Sequence, residues 1–227
     1  MIKSISEHGL QESSPLKPAL EILCSNLSHG IHAAAQPLTI LLASLSKAHT
    51  DNMDIGELRE LTASSSEEVQ RVCTLFSYLQ DLVVAESIRP KLSATAILPL
   101  LTSAVQGVQR LFYEQRIILS STVPETCPLV LMNGPRTLRA LSSVFLTVHA
   151  QSSAGDQVEM IASTTALGMQ IVIRNLNLSV TSTSAEARLS MAAAEANIRS
   201  QQAAFSYSQQ PFHVLIDLPQ APRSTDL

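Results

Sequence analysis

The chain has 227 residues, of which 45% are hydrophobic and only 4% are aromatic, and its formal net charge is −4 at pH 7. Leu, Ala, Val and Ile must therefore build the core, which favours helix bundles with a modest sheet. The 15 Lys and Arg residues form no basic stripe that could neutralise a phosphate backbone, so composition argues against direct binding of nucleic acid.

Neither a signal peptide nor a membrane span is predicted. The opening residues Met1–Ser4 lack the apolar region of a signal peptide, and no run approaches the roughly 18 apolar residues that a span needs. Cys24, Cys73 and Cys127 are odd in number and far apart, which fits neither a disulfide framework nor a zinc site. We therefore expect a cytoplasmic protein with no metal site and no membrane contact.

A first long helix is predicted from about Pro18 to Lys47. Its apolar positions are separated alternately by four and three residues, which is the spacing of a coiled-coil seam. The seam consists of Leu27, Ile31, Ala34, Leu38, Leu41 and Leu45.

A second long helix is predicted to begin at the capping box Asp54-Ile55-Gly56-Glu57. It should end at Arg89-Pro90, because the residue before a proline is biased away from helical geometry. Its seam consists of Leu58, Leu61, Ser65, Val69, Val72, Phe76, Leu79 and Val83.

The short connection between these helices predicts an antiparallel hairpin. An isolated pair with one apolar seam on each helix cannot bury both seams well. A second copy would complete a four-helix bundle, so we expect a homodimer.

The pattern changes after Pro90. Strands are predicted over 92–97, 116–123, 128–132, 157–164, 169–174 and 212–218, and helices over 98–115, 134–151 and 184–203. Helices interleaved with a hairpin-bearing sheet indicate a two-layer α/β sandwich. We therefore divide the chain into a helical dimerisation domain (1–90), an α/β domain (91–219) and a disordered tail (220–227).

The first helix carries a histidine, His32, five residues before Pro37-Leu38. This run resembles the H-box of two-component sensor histidine kinases, in which a histidine on a dimerising helix is phosphorylated just upstream of a Pro-Leu pair. The resemblance implies that His32 is the phosphoacceptor, with His29 one turn earlier as the alternative. Pro37 has no N–H to bond the carbonyl of Ala33, so the helix is loosened in the turn after His32.

Residues 92–219 resemble the ATP-binding domain of the same family, down to a last strand that ends in Leu218-Pro219. The family binds Mg²⁺ and phosphate with two asparagines one helical turn apart, but Val144 and Val148 stand at those positions. Asn175 replaces the aspartate that reads adenine, while Asn177 and Ser179 replace glycines. Only 181–184 separate this box from the next helix, so the family's lid is missing. We therefore expect no ATP and no other cofactor.

Two functions follow from this combination. In the first, His32 passes a phosphoryl group between aspartates of response-regulator receiver domains, as in bacterial phosphotransferases built on a degenerate kinase. The residue after His32 is Ala33, whereas kinases usually have an acidic residue there that takes the proton during attack on ATP. In the second, the chain is an inactive pseudokinase adaptor that binds a regulator or kinase. The function that the sequence favours least is that of an active autokinase.

Overall fold

The structure is a computed structural model that describes residues 55–177, 184–209 and 211–222. The predicted first helix, with His29, His32, Ala33 and Pro37, lies outside the described residues, as does Ser179. The phosphoacceptor assignment therefore stays a prediction.

Helix α1 (Ile55–Ser87) has 33 residues and is about 50 Å long at 1.5 Å per residue. It ends just before Arg89-Pro90, which confirms the predicted stop. In the described part of the chain, no helix combines the length and the apolar character needed to cross a membrane.

The α/β domain follows with ten further elements. They are β1 (Ser93–Ala96), α2 (Ile97–Glu114), β2 (Ile118–Thr122), β3 (Leu129–Met132), α3 (Gly134–Gln151), β4 (Gln157–Thr165), β5 (Gly168–Asn175), α4 (Ala185–Arg199), β6 (Ala204–Gln209) and β7 (Phe212–Pro219). A five-stranded sheet has the order β2-β4-β5-β7-β6, with β2 parallel to β4 and the other pairs antiparallel. Strands β1 and β3 form a separate antiparallel pair.

One face of the five-stranded sheet carries the core. Alternate residues of β4, β5 and β7 are buried, as the period of a half-buried strand requires. Apolar residues of α2, α3 and α4 cover this face, among them Leu101, Val144 and Ile198. Polar pairs occupy the other face, where Arg174 binds Glu159 across neighbouring strands. The predicted α/β arrangement is confirmed.

The β4–β5 hairpin depends on Gly168. Its φ of +148° is a conformation that L side chains rarely adopt, and an added Cβ would lie 2.1 Å from the carbonyl oxygen of Leu218 on β7. The hairpin can therefore pack closely against β7 only with glycine at this position.

The structure differs from the prediction at the end of the last helix and in the strand that follows it. The helix predicted over 184–203 ends at Arg199, and the unpredicted strand β6 follows and pairs with β7. The chain turns because Gln202 has a left-handed φ of 63°, while the buried Gln201 accepts a bond from the Asn133 backbone N–H (2.6 Å). Beyond β7, Gln220 and Ala221 bond to Leu167 and Leu129. Residues 223–227, the rest of the predicted disordered tail, lie outside the described residues.

Candidate functional site

The candidate site is the part of the α/β domain that corresponds, by the resemblance, to the family's nucleotide site. It is formed by the second half of α3, by the end of β5 and by the first half of α4. The sequence singled out Val144, Val148, Asn175 and Asn177 here, and the structure describes all four.

Val144 and Val148 are fully buried on α3, where they pack into the domain core with Leu141 and Phe145. They are one helical turn apart, and they lie on the same face of α3 as its other buried apolar residues. A valine side chain has no atom that can coordinate Mg²⁺, whose protein ligands are oxygens. Both positions therefore contribute packing to this face of α3.

Asn175 ends β5 and is only 2% exposed. Its amide Nδ2 donates to Ser152 Oγ (2.8 Å) and to Asp156 Oδ2 (3.2 Å), and its Oδ1 accepts from the Asn177 N–H (3.0 Å). Both amide hydrogens are used. The side chain thus ties the end of β5 to the connection between α3 and β4.

A cavity of about 310 Å³ lies between α1, α3 and α4. Its walls include Thr74 and Tyr78 of α1, Thr147 of α3, and Glu186 and Ser190 of α4. No Lys or Arg occurs among its described lining residues, and the Glu186 carboxylate is 3.6 Å from the Arg71 guanidinium outside it. A polyphosphate in this cavity would find no Lys or Arg on the described walls.

The hydroxyl groups of this cavity bond to one another. Thr147 Oγ1 donates to Ser190 Oγ (3.0 Å), which in turn donates to the Ser143 carbonyl (3.3 Å). Burial raises the pKa of Tyr78 above its ordinary value, although a hydrogen bond with Ser190 opposes this effect. Sequence reasoning missed these residues because the hydroxyls meet only when α4 packs against α3 and α1.

The described residues contain no cluster of three or more His, Cys, Asp or Glu side chains that could hold a metal ion. His149, which follows the second valine, directs its Nε2 to the Leu111 carbonyl (3.1 Å) and packs against the ring of Phe112. Its contacts join α3 to α2, so His149 has a structural role in this region.

Solved structures with a similar fold are histidine kinases. Histidine kinase AdeS of Acinetobacter baumannii matches with a TM-score of 0.63 and 16% identity, over 84% of this chain and 98% of that one. Histidine kinase ThkA, in complex with response regulator protein TrrA, matches with a TM-score of 0.62 and 13% identity, over 99% of this chain and 70% of that one. The fold is that of histidine kinases.

A histidine kinase from Burkholderia phymatum STM815 has the same fold, with a TM-score of 0.51 and 13% identity over 96% of this chain and 100% of that one. No protein-family model and no curated protein sequence matches the chain. At these identities the comparison establishes the histidine kinase fold, and the function must be argued from the residues at the site.

The hydrogen bonds of Asn175 can be tested by substitution. In Asn175→Asp the carboxylate cannot donate to Ser152 or Asp156, and it lies next to a like charge. We expect a loss of about 2–3 kcal/mol in the free energy of unfolding at neutral pH, measured by urea denaturation. Burial and Asp156 would raise the folded-state pKa of the new carboxyl above its unfolded value, so the loss should shrink as the pH falls through that raised pKa.

Asn177→Asp is the matched control, because Asn177 is exposed two residues away. Its free energy of unfolding should change by no more than about 0.5 kcal/mol. Equal losses in the two variants would contradict the role assigned to Asn175.

Proposed function

We propose that this protein is a dimeric histidine phosphotransferase of a two-component phosphorelay, in which His32 accepts a phosphoryl group from one receiver-domain aspartate and passes it to another. The observation that carries the proposal is the replacement of the residues with which the resembled family binds its nucleotide. Val144 and Val148 lie in the core, and Asn175 bonds its own neighbours. A chain with the histidine kinase fold but without these nucleotide-binding residues would need another protein as its phosphate source.

The identity of that protein is argued from the fold and from the sequence. ThkA, which has the same fold, is seen in complex with a response regulator protein. His32 and Pro37 retain the H-box pattern in this chain even though its nucleotide residues are replaced. Both points support a response-regulator receiver domain as the partner.

The proposed step is a transfer at phosphorus. The lone pair of a neutral imidazole nitrogen of His32 attacks the phosphorus of an aspartyl phosphate, and the N–P bond forms as the P–O bond to the aspartate breaks. The electron pair of that bond leaves with the carboxylate. The reverse step on a second receiver domain regenerates the imidazole. An ordinary imidazole is largely neutral at pH 7, so the nucleophile needs little activation.

Ala33 fits this chemistry. An acidic residue at this position would help a kinase to attack ATP, whereas a receiver domain brings its own aspartates, Mg²⁺ and lysine to the reaction. A phosphotransferase therefore depends less on an acidic residue next to the histidine. The replacement of that residue and the replacement of the nucleotide residues are consistent with one another.

The proposed dimer is supported by the exposed seam of α1. Val69, Phe76 and Val83 are 40%, 49% and 44% exposed, and they recur every seven residues on one face. A row of large apolar side chains at heptad spacing is typical of a helix that packs in a bundle. We propose that the predicted first helix and a second copy of the chain pack on this exposed row.

A second candidate function is a pseudokinase adaptor that binds a regulator or kinase without chemistry. Ala33 favours it, since the acidic partner of the histidine is missing. The same dimer and the same replaced nucleotide residues would serve this function. The two candidates differ only in whether a histidine is phosphorylated.

Phosphotransfer can be measured by incubating the full chain with a receiver domain phosphorylated on its aspartate. We expect label on the wild type, label at background level on His32→Ala, and unchanged labelling of His29→Ala. Loss of label in His29→Ala alone would move the acceptor to His29. Receiver binding without label on the wild type would favour the adaptor, and the absence of both would contradict both functions.

The dimer can be measured by sedimentation velocity. Phe76→Glu places a charge on the proposed bundle face, and we expect it to raise the dimer dissociation constant by about 100-fold or more, because an unpaired carboxylate would be buried. Ser77→Glu is the matched control, since Ser77 is the exposed next residue and lies off the seam. A monomeric wild type, or equal disruption by both variants, would contradict the dimer.

A further inference from the structure

Helix α1 has a second apolar face besides its seam. Leu75, Leu82 and Ala85 of α1 are buried against Leu189, Ala193 and Ala196 of α4. The α4 residues are mostly alanines, whose small side chains let two helices approach closely. Leu75 and Leu82 each precede a seam residue by one position, so the two faces are about 100° apart around α1. One face can pack on the α/β domain while the other stays available to a bundle.

A charged pair lies at the edge of this contact. Asp81 of α1 is buried, and its carboxylate binds the guanidinium of Arg139 on α3. The two residues are 58 positions apart in the sequence, so the pair joins the helical region to the α/β domain. Removal of Arg139 would leave the buried carboxylate beside Leu82 without its hydrogen-bonded partner, which is unfavourable.

A second arginine of α3 binds the end of α1. Arg136 Nη2 donates to the carbonyl oxygens of Val84 (3.3 Å) and Ile88 (2.9 Å), and its Nη1 donates to Ser200 Oγ (3.0 Å). The last carbonyls of a helix carry partial negative charge, and that of Val84 also accepts a bond from the Ile88 N–H (3.0 Å). Arg136 therefore caps α1 from the other domain.

The contact between α1 and the α/β domain extends along much of α1, and the segment that connects α1 to β1 is also bonded to the domain. Besides the arginine contacts near Ile88, Arg71 is 3.6 Å from Glu186 at the other end, about 25 Å away along α1. The segment between α1 and β1 is held by Asn133, whose Nδ2 donates to the Lys91 carbonyl (3.1 Å). These contacts leave no single point about which the domain could turn.

We infer that α1 and the α/β domain form one rigid unit, closed by a latch that consists of Arg136, Arg139 and Asp81 at the edge of the α1–α4 contact. The latch keeps α4 at a constant position along the helix that also carries the bundle seam. Any protein that docks on this part of the bundle therefore meets the surface of the α/β domain in one orientation. The inference does not depend on phosphotransfer, and its test makes no use of a partner.

The latch can be tested by distance measurements between two spin labels in the full chain. One label replaces Gln80 on the exposed side of α1 and the other replaces Leu167 on the β4–β5 hairpin, in a background in which Cys24, Cys73 and Cys127 are serine. Labelled chains are diluted into unlabelled protein so that distances within one chain dominate. We expect a single narrow distance distribution in this parent.

The decisive variant is Arg136→Ala combined with Arg139→Ala, which should broaden the distribution or add a second distance. Arg110→Ala is the matched control, because Arg110 pairs with Glu114 on its own helix, and it should leave the distribution narrow. A broad distribution in the parent would overturn the inference, and so would a narrow one in the double variant.

Far-UV circular dichroism checks that the double variant is folded. If it is not, Arg136→Lys combined with Arg139→Lys replaces it, because lysine keeps the charge but cannot bind two carbonyls with a planar fork. Broadening in the lysine pair supports the latch. A width equal to that of the parent overturns it.

Discussion

The packing of α3 against the sheet is the constraint on which the rest of the structure depends. Val144 and Val148 are fully buried, so the face of α3 that carries them is continuous with the core. The neighbouring polar residue Thr147 is bonded to Ser190 of α4. An asparagine at either valine position would bury an amide without partners, at a cost of about 1–3 kcal/mol or more. The core is thus stable because these positions are apolar.

The other features of the site are consistent with this packing. Asn175 uses its amide to hold the end of β5, and the described walls of the nearby cavity carry no Lys or Arg that could bind phosphate. A kinase must bring its nucleotide to the histidine, which requires movement of the domain that holds it. A protein without a nucleotide has no such requirement. The proposed latch at Arg136 and Arg139 can therefore coexist with the proposed function.

Most of the α/β domain could be predicted from the sequence, because apolar periodicity and turn residues mark its elements. Strand β6 was missed, since Ala204 continues an alanine-rich helical pattern and the turn depends on the buried side chain of Gln201. The alternation of Phe205 and Tyr207 with serines was the available signal. That the family's nucleotide residues are replaced was predicted from the residue types at Val144, Val148 and Asn175. The bonds of Asn175 were not, because its partners lie about 20 residues away.

The contact between α1 and α4 could not be predicted in this way. The sequence predicts a single apolar seam on α1 and places Leu79 on that seam. In the structure, Leu79 packs against the cluster that joins α1 to α4. Leu75, Leu82 and Ala85 form the second face, which periodicity alone does not separate from the first. Arg139 and Asp81 pair across 58 positions, a distance over which local pattern carries no information.

The most direct test of this account is the equilibrium binding of Mg-ATP to the full chain, measured by calorimetry with an ATP-binding histidine kinase as the positive control. We expect no heat beyond dilution at millimolar nucleotide, because the residues with which the resembled family binds its nucleotide are replaced in this chain. Saturable binding of Mg-ATP by the wild-type chain would contradict it.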